Sequence, residues 1–303
     1  MAICAYTERR WDVLNEAVRE ASAQMRAGDE LVLVIDHAPE LLARATERFP
    51  AARVVANTRR PGLSGSRNTA VHTAGGEVVV FLDDDAVPGP GWLDALLAAY
   101  CDEGVIGVGG HVAPAWTGSS PAWFPDEFLW VVGCSYAGLP TGQAPIRNPI
   151  GANMSFRRAV LAATGPFSES LGRVGAVPVG CEETELSLRA HRVFPAGRIL
   201  HEPSSIVFHR VSDDRATFAY FRRRCWSEGA SKALVTRVAG RAGALATERA
   251  YVASTLTRAI ARELRAALRG DVRAIARAGA VLAGTAVAAA GYLTHLRTPG
   301  RAA

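Results

Sequence analysis

Through its first third the chain alternates short, unbroken apolar runs with longer segments in which apolar residues recur every three or four positions. The runs are residues 2–6, 31–36 (LVLVID), 52–57 (ARVVAN) and 77–85 (EVVVFLDDD), and the segments of helical spacing are 11–26, 40–49, 64–74 and 91–100. Strands that are apolar at every position have both faces covered, and single helices between them act as crossovers, so the pattern predicts parallel strands. Such crossovers are right-handed. The predicted class is α/β, with a Rossmann-like open sheet flanked by helices.

After residue 103 the pattern is mixed. Residues 104–112 (GVIGVGGHV) read as a strand loosened by glycine, and 113–150, rich in Pro, Gly and Trp, as a long loop. Loops of that length in a compact domain are usually lids or binding surfaces. A strand at 150–156 leads into a helix at 157–163. Residues 182–192 are helical, and 199–211 form one or two short strands.

Composition adds a compartment and a polarity. Hydrophobic residues make up 49% and charged residues 21%, which supports a sizeable core and excludes a disordered chain. Five cysteines at 4, 101, 134, 181 and 225 form no CxxC pair, as expected of scattered reduced thiols. No apolar stretch follows a basic start, so a cytoplasmic protein is expected. Residues 229–303 hold twelve Lys and Arg against three Asp and Glu, which leaves the preceding 228 residues with a net charge of about −4. That basic end suits an anionic surface. No nucleic-acid-binding pattern accompanies it, and nucleic acid is not an expected partner.

The strongest chemical signal is Phe81-Leu82-Asp83-Asp84-Asp85-Ala86-Val87-Pro88, where an apolar strand ends in three aspartates. In open α/β sheets ligands bind beyond the carboxyl ends of strands. Three adjacent carboxylates repel one another unless a cation offsets them, and a hard divalent ion such as Mg²⁺ favours oxygen ligands of this kind. The competing reading is a solvated acidic turn capping the next helix. Asp36 ends the second run in the same way and suits either a ribose hydroxyl or a helix cap. Gly62 to Asn68 (GLSGSRN) is a glycine turn entering a helix with Arg67 in its first turn, an arrangement that suits a phosphate and is also common in surface loops. Glu182 and Glu183 open a helix, either as charges complementing its dipole or with one acting as general base. Glu185 is expected to face solvent. His209, in a short apolar run, is a core histidine or a metal ligand, and His201 is a weaker candidate of the same kind.

In order along the chain, CAYTE, VLVID, GLSGSRNTAV, FLDDDAVPGPGWL, GANMSFRR, GCEETELSLR and FHRV resemble the family 2 glycosyltransferases over about residues 1–235. The resemblance is nearest to the branch typified by glucosyl-dolichyl-phosphate glucuronosyltransferases and their bacterial relatives. It implies a GT-A fold with a mixed sheet, a nucleotide-binding half at 1–110, an acceptor half at 111–235 and a helical extension at 236–303. The implied reaction is inverting transfer of a sugar from a nucleotide-diphosphate donor, UDP-sugars favoured, to a hydroxyl acceptor, including a lipid-linked one.

The implied donor contacts are Ala5, Tyr6, Thr7, Asp36, Arg67, Asn68, Asp83 and Asp84, with Asn153 on the strand facing the sugar and acceptor. The implied ligands of Mg²⁺ or Mn²⁺ are Asp83, Asp85 and His209. Glu183 stands where many members carry an aspartate as catalytic base, and Glu182 is its rival. The QxxRW motif of processive synthases is absent from the sequence. The alternatives are a non-catalytic nucleotide- or sugar-binding scaffold of the same fold and a sugar nucleotidyltransferase. The second would need a glycine-rich loop after the first strand, and residues 7–12 contain no glycine.

In the extension, arginines at 258, 262, 265, 269, 273 and 277 form one helical stripe, followed at 278–294 by 17 residues without a formal charge. Two readings stand equal: an amphipathic helix on an anionic leaflet, and a helical hairpin packed on the protein with a solvated arginine face. The first would place the protein peripherally on the inner face of the cell membrane.

Overall fold

The computed structural model describes residues 1–170, 180–239 and 246–297, so parts of the expected acceptor half (171–179) and extension (240–245 and 298–303) lie outside the described residues. The chain groups into two compact units. The first comprises Met1–Ala113, Pro140–Val177 and Glu182–Arg210, and the second Pro114–Leu139, Pro178–Cys181 and Val211–Ala303.

The first unit carries the sheet. Strands β1 (Ala2–Ala5), β2 (Val32–Ile35), β3 (Arg53–Ala56) and β4 (Val78–Asp83) alternate with helices α1 (Trp11–Ser22), α2 (Pro39–Arg48) and α3 (Leu63–Thr73). As the unbroken apolar runs require, β1 pairs in parallel with both β2 and β4, and β2 with β3. Val32, Val34, Val79 and Phe81 point to a core shared with Phe156, Phe167 and Leu186. The alternating residues Leu33, Ile35, Val80 and Leu82 are buried on the other face.

Beyond β4 the sheet becomes mixed. A three-residue strand β5 (Ala86–Pro88) follows the aspartates, and α4 (Trp92–Ala98) follows β5. Then come β6 (Val105–Trp116), β7 (Ala144–Ile146), β8 (Asn153–Arg157), α5 (Arg158–Thr164), α6 (Glu182–Val193) and β9 (Arg198–Val211). The order is β3-β2-β1-β4-β8-β6-β9-β5, with β7 paired to β9. β8 runs antiparallel to β4 and β6, and β5 antiparallel to β9 with Ala86 opposite His209. This is the expected GT-A architecture.

Two local readings change and one narrows. The region expected as one long loop contains the end of β6, a 3₁₀ segment at Asp126–Val132 and β7. Of the one or two short strands expected at 199–211, the structure has one, continuous over Arg198–Val211. Glu185 is buried, not solvated, because Arg189 one helical turn later meets it with two hydrogen bonds of 2.6 and 2.7 Å.

In the second unit, α7 (Phe218–Ala239) is followed by helix Ala246–Ala250, a π-helical turn Tyr251–Leu256, and helices Thr257–Leu268 and Val272–Arg297. Aromatic edges and faces from Trp123, Phe124, Phe128, Phe218 and Phe221 pack together. Arg262 reaches the buried Glu127 (2.9 Å) and Glu263 (2.6 Å), and Arg277 holds Glu263 and Asp271, each at 2.7 Å. The arginine stripe is therefore not uniform, since two of its members brace the unit's interior. Among the described residues no cysteine forms a disulfide.

Candidate active site

The aspartates stand at the C-terminal end of β4 because the strand's apolar run stops there and the chain turns at once into β5. Asp84 and Asp85 are buried and Asp83 is half-buried, which removes the solvated-turn reading. The β5–β9 pairing brings the other half of the site alongside. His209 Nε2 lies 3.1 Å from Asp85 Oδ1, and one ligand atom from each of Asp83, Asp85 and His209 falls within 4.8 Å of the others. Two carboxylates and an imidazole at this spacing fit a divalent cation that accepts oxygen and nitrogen ligands. His201, the weaker candidate, sits earlier on β9 opposite Ala144 and outside this cluster; burial holds it below its ordinary pKa.

Two arginines meet the buried negative charge. Arg10 Nη1 bridges Asp84 Oδ1 (2.6 Å) and Asp85 Oδ2 (3.0 Å). Arg67 is almost fully buried on α3, and its guanidinium spans Glu182 Oε1 (2.8 Å), Asp83 Oδ1 (3.1 Å) and the Gly151 carbonyl (3.0 Å). Asp83, Asp84, Asp85 and Glu182 against Arg10 and Arg67 leave a formal excess of negative charge that a divalent ion would balance. Burial pushes the Asp84 carboxyl up to about 7, with Arg10 working in the opposite direction. Asp84 Oδ2 and Glu182 Oε2 are buried without a hydrogen-bond partner among the described residues, so the donor set is incomplete by itself.

Arg10 gave no signal in the sequence. It ends a 3₁₀ turn, Glu8–Arg10, capped by Thr7, and reaches carboxylates 74 positions away. Thr7 and the exposed Tyr6 follow the end of β1 at Ala5, at the same edge of the sheet as Asp36 beyond β2. The Asp36 carboxylate does not cap α2. It accepts from Asn57 Nδ2 (2.6 Å) and from the Gly62 amide (2.8 Å), which fixes the glycine turn into α3.

Two of the expected contact residues are tied into the scaffold. Asn68 exchanges hydrogen bonds with the Phe167 backbone at 2.8 and 2.9 Å. Asn153 is fully buried on β8: its Oδ1 accepts from Trp92 Nε1 (2.8 Å), and its Nδ2 donates to the carbonyls of His111 (3.1 Å) and Ser205 (2.9 Å). A methyl group on Gly110 would overlap that amide, which accounts for a glycine within β6. Asn153→Ala would strand the indole N–H and is expected to lower stability by about 1–3 kcal/mol, read from urea unfolding.

Glu182 and Glu183 open α6 next to Cys181, whose φ of 73° is a left-handed conformation uncommon for a residue with a side chain. Glu182 is buried against Arg67, whereas Glu183 is half-buried, with Thr184 Oγ1 at 3.5 Å. The Glu182–Arg67–Asp83 chain of ion pairs thus links the first turn of α6 directly to the candidate metal cluster.

The sequence pattern of glycosyl transferase family 2 matches residues 1–165. Glucosyl-dolichyl phosphate glucuronosyltransferase of Haloferax volcanii is 30% identical over 236 residues, covering 77% of this chain and 75% of that one. In fold, the chain resembles the mannosyltransferase PcManGT from Pyrobaculum calidifontis, solved with GDP-Man and Mn²⁺ (TM-score 0.61, 19% identity, 96% of this chain and 86% of that one). It also resembles GalNAc-T7, solved with UDP, GalNAc and Mn²⁺ (TM-score 0.53, 16% identity, 77% of this chain and 50% of that one). By sequence match, fold and the DxD-like pair Asp83 and Asp85, the chain belongs to glycosyl transferase family 2.

Proposed function

We propose that the protein transfers a sugar, with inversion, from a nucleotide-diphosphate donor to an acceptor hydroxyl, using a divalent metal. The observation that carries this reading is the convergence of Asp83, Asp85 and His209 beside the edge of the sheet where β1 and β2 end. Those three residues would hold Mg²⁺ or Mn²⁺, which when bound offsets the charge developing on the departing diphosphate. Mn²⁺ in PcManGT and GalNAc-T7 supports that choice of ion.

The remaining roles belong to the chain itself. The backbone at Ala5, Tyr6 and Thr7, with Asp36, receives the base and ribose. Asp84, bridged by Arg10, completes the acidic wall on the donor side. Arg67 sets the field near the diphosphate while fixing Glu182 and Asp83, and Asn68 and Asn153 keep α3 and β8 in register around it. Glu183 removes the proton from the acceptor hydroxyl as the bond to the anomeric carbon forms. Glu182, locked on Arg67, is the positioning group beside it. A UDP-sugar donor is favoured, and the likeness to an enzyme named for glucosyl-dolichyl phosphate supports a lipid-linked acceptor. We place the protein on the cytoplasmic side.

A thermal-shift panel with UDP, GDP, CDP, TDP and ADP, with and without Mn²⁺, tests the donor site. A nucleotide at 100 times its dissociation constant adds about 2.7 kcal/mol to stability. One nucleotide should stabilise the wild type only with metal, and Asp85→Asn should abolish that shift. Folded wild type that shows no metal-dependent shift with any of the five would favour a non-catalytic scaffold.

A further inference from the structure

The helix Val272–Arg297 has two unlike sides. One lies so close to α7 that a methyl on Gly229 would meet the Ala288 carbonyl and the Tyr292 amide, and one on Gly291 would meet the Trp226 carbonyl. The other side exposes Ile275, Leu282 and Leu293 at helical spacing, with the exposed small residues Gly279 and Ala286 between them. At the turn into this helix, Leu268 and Val272 are 89% and 76% exposed. Side chains this large and this apolar, exposed in series, mark an interaction surface rather than ordinary surface scatter.

Charge indicates what covers it. Arg258, Arg265, Arg269 and Arg273 are all exposed, and among the described residues none has a carboxylate partner. The nearby acids, Glu263 and Asp271, are held by Arg262 and Arg277. The apolar strip therefore ends in a cluster of uncompensated positive charge. A second copy of the chain is a poor occupant, since pairing the same patch with itself brings these arginines together. Crossing a bilayer is equally unfavourable although Val272–Leu296 is long and apolar enough, because its close partner α7 carries Arg222, Arg223, Glu228 and Lys232.

We propose that this face rests on an anionic lipid bilayer, with Leu268, Val272, Ile275 and Leu282 in the acyl boundary and the four arginines among headgroup phosphates. The helix lies along the interface, anchored to α7, and does not span it. The proposal stands independently of the transferase reading, because it uses no residue of the candidate active site.

Flotation of the full chain with phosphatidylcholine vesicles, with and without phosphatidylglycerol, tests it in the absence of nucleotide or sugar. At least tenfold tighter binding to the anionic vesicles is expected, weakening with added salt. Arg265→Gln with Arg269→Gln should weaken binding about tenfold or more, and Leu268→Glu with Val272→Glu should release the protein. The two pairs are made separately and checked by near-ultraviolet circular dichroism, so loss of the fold in one leaves the other to decide. Equal binding to neutral vesicles, or full binding by both folded variants, would overturn the proposal. So would a concentration-dependent dimer that the leucine–valine pair dissolves while vesicles capture nothing.

Discussion

Glu183→Gln is expected to lower kcat by about 10²–10⁴ while leaving metal-dependent nucleotide binding unchanged. The amide keeps the shape of the side chain and cannot take a proton, so only the step that deprotonates the acceptor suffers. The two neighbouring acids differ in what they can do. Glu182 Oε1 is fixed 2.8 Å from Arg67 in a buried ion pair, which ties its orientation. Glu183 is the half-buried member at the start of the same helix. Initial rates with the donor identified by the thermal panel check the assignment. If Glu182→Gln loses turnover and Glu183→Gln keeps it, the base is Glu182 and Glu183 has no part in the chemistry.

Arg67→Ala is expected to destabilise the protein by about 3–5 kcal/mol, because it leaves buried carboxylates without their cation. Three groups lose a donor together: Glu182, Asp83 and the Gly151 carbonyl. Arg67→Lys should not rescue the loss, since an ammonium lacks the planar fork that serves acceptors in different directions. Urea unfolding gives the stability change. Arg67→Met combined with Glu182→Gln removes both charges of the main pair and should cost less than Arg67→Ala alone. A loss equal to or greater than that of the single variant would place the energy in packing around the Arg67 side chain rather than in the buried charge.

The fold was legible where burial is two-sided. The runs at β2 and β4 leave no alternative to central strands, and their parallel pairing follows from the helices between them. β5 was not legible, because Ala-Val-Pro is too short to show a period and its pairing partner lies far along the chain. The aspartates and His209 were readable as candidates, but only the β5–β9 register shows that they meet. Arg10 and Arg262 illustrate the same limit: their acidic partners lie 74 and 135 positions away, and no local pattern shows those pairings. Glu185 was different. Its i,i+4 spacing to Arg189 was in plain view, but such pairs usually lie on the helix surface, so the spacing alone points to solvent.

The pairing of β5 with β9 also bears on how this protein can be cut or recombined. The span that matches the family pattern ends at residue 165, before α6 and β9. A fragment of that length would keep β4 and its aspartates yet lack the imidazole, both candidate bases and the strand that β5 pairs with. Its acidic triplet would keep Arg10 and Arg67 but lose His209, and β5 would be left without its pairing strand. Exchange of the segment after residue 165 between relatives would replace His209 and both candidate bases, Glu182 and Glu183, in a single event. On the proposed roles, metal binding and proton acceptance share one block, and the smallest unit able to carry both extends past residue 165.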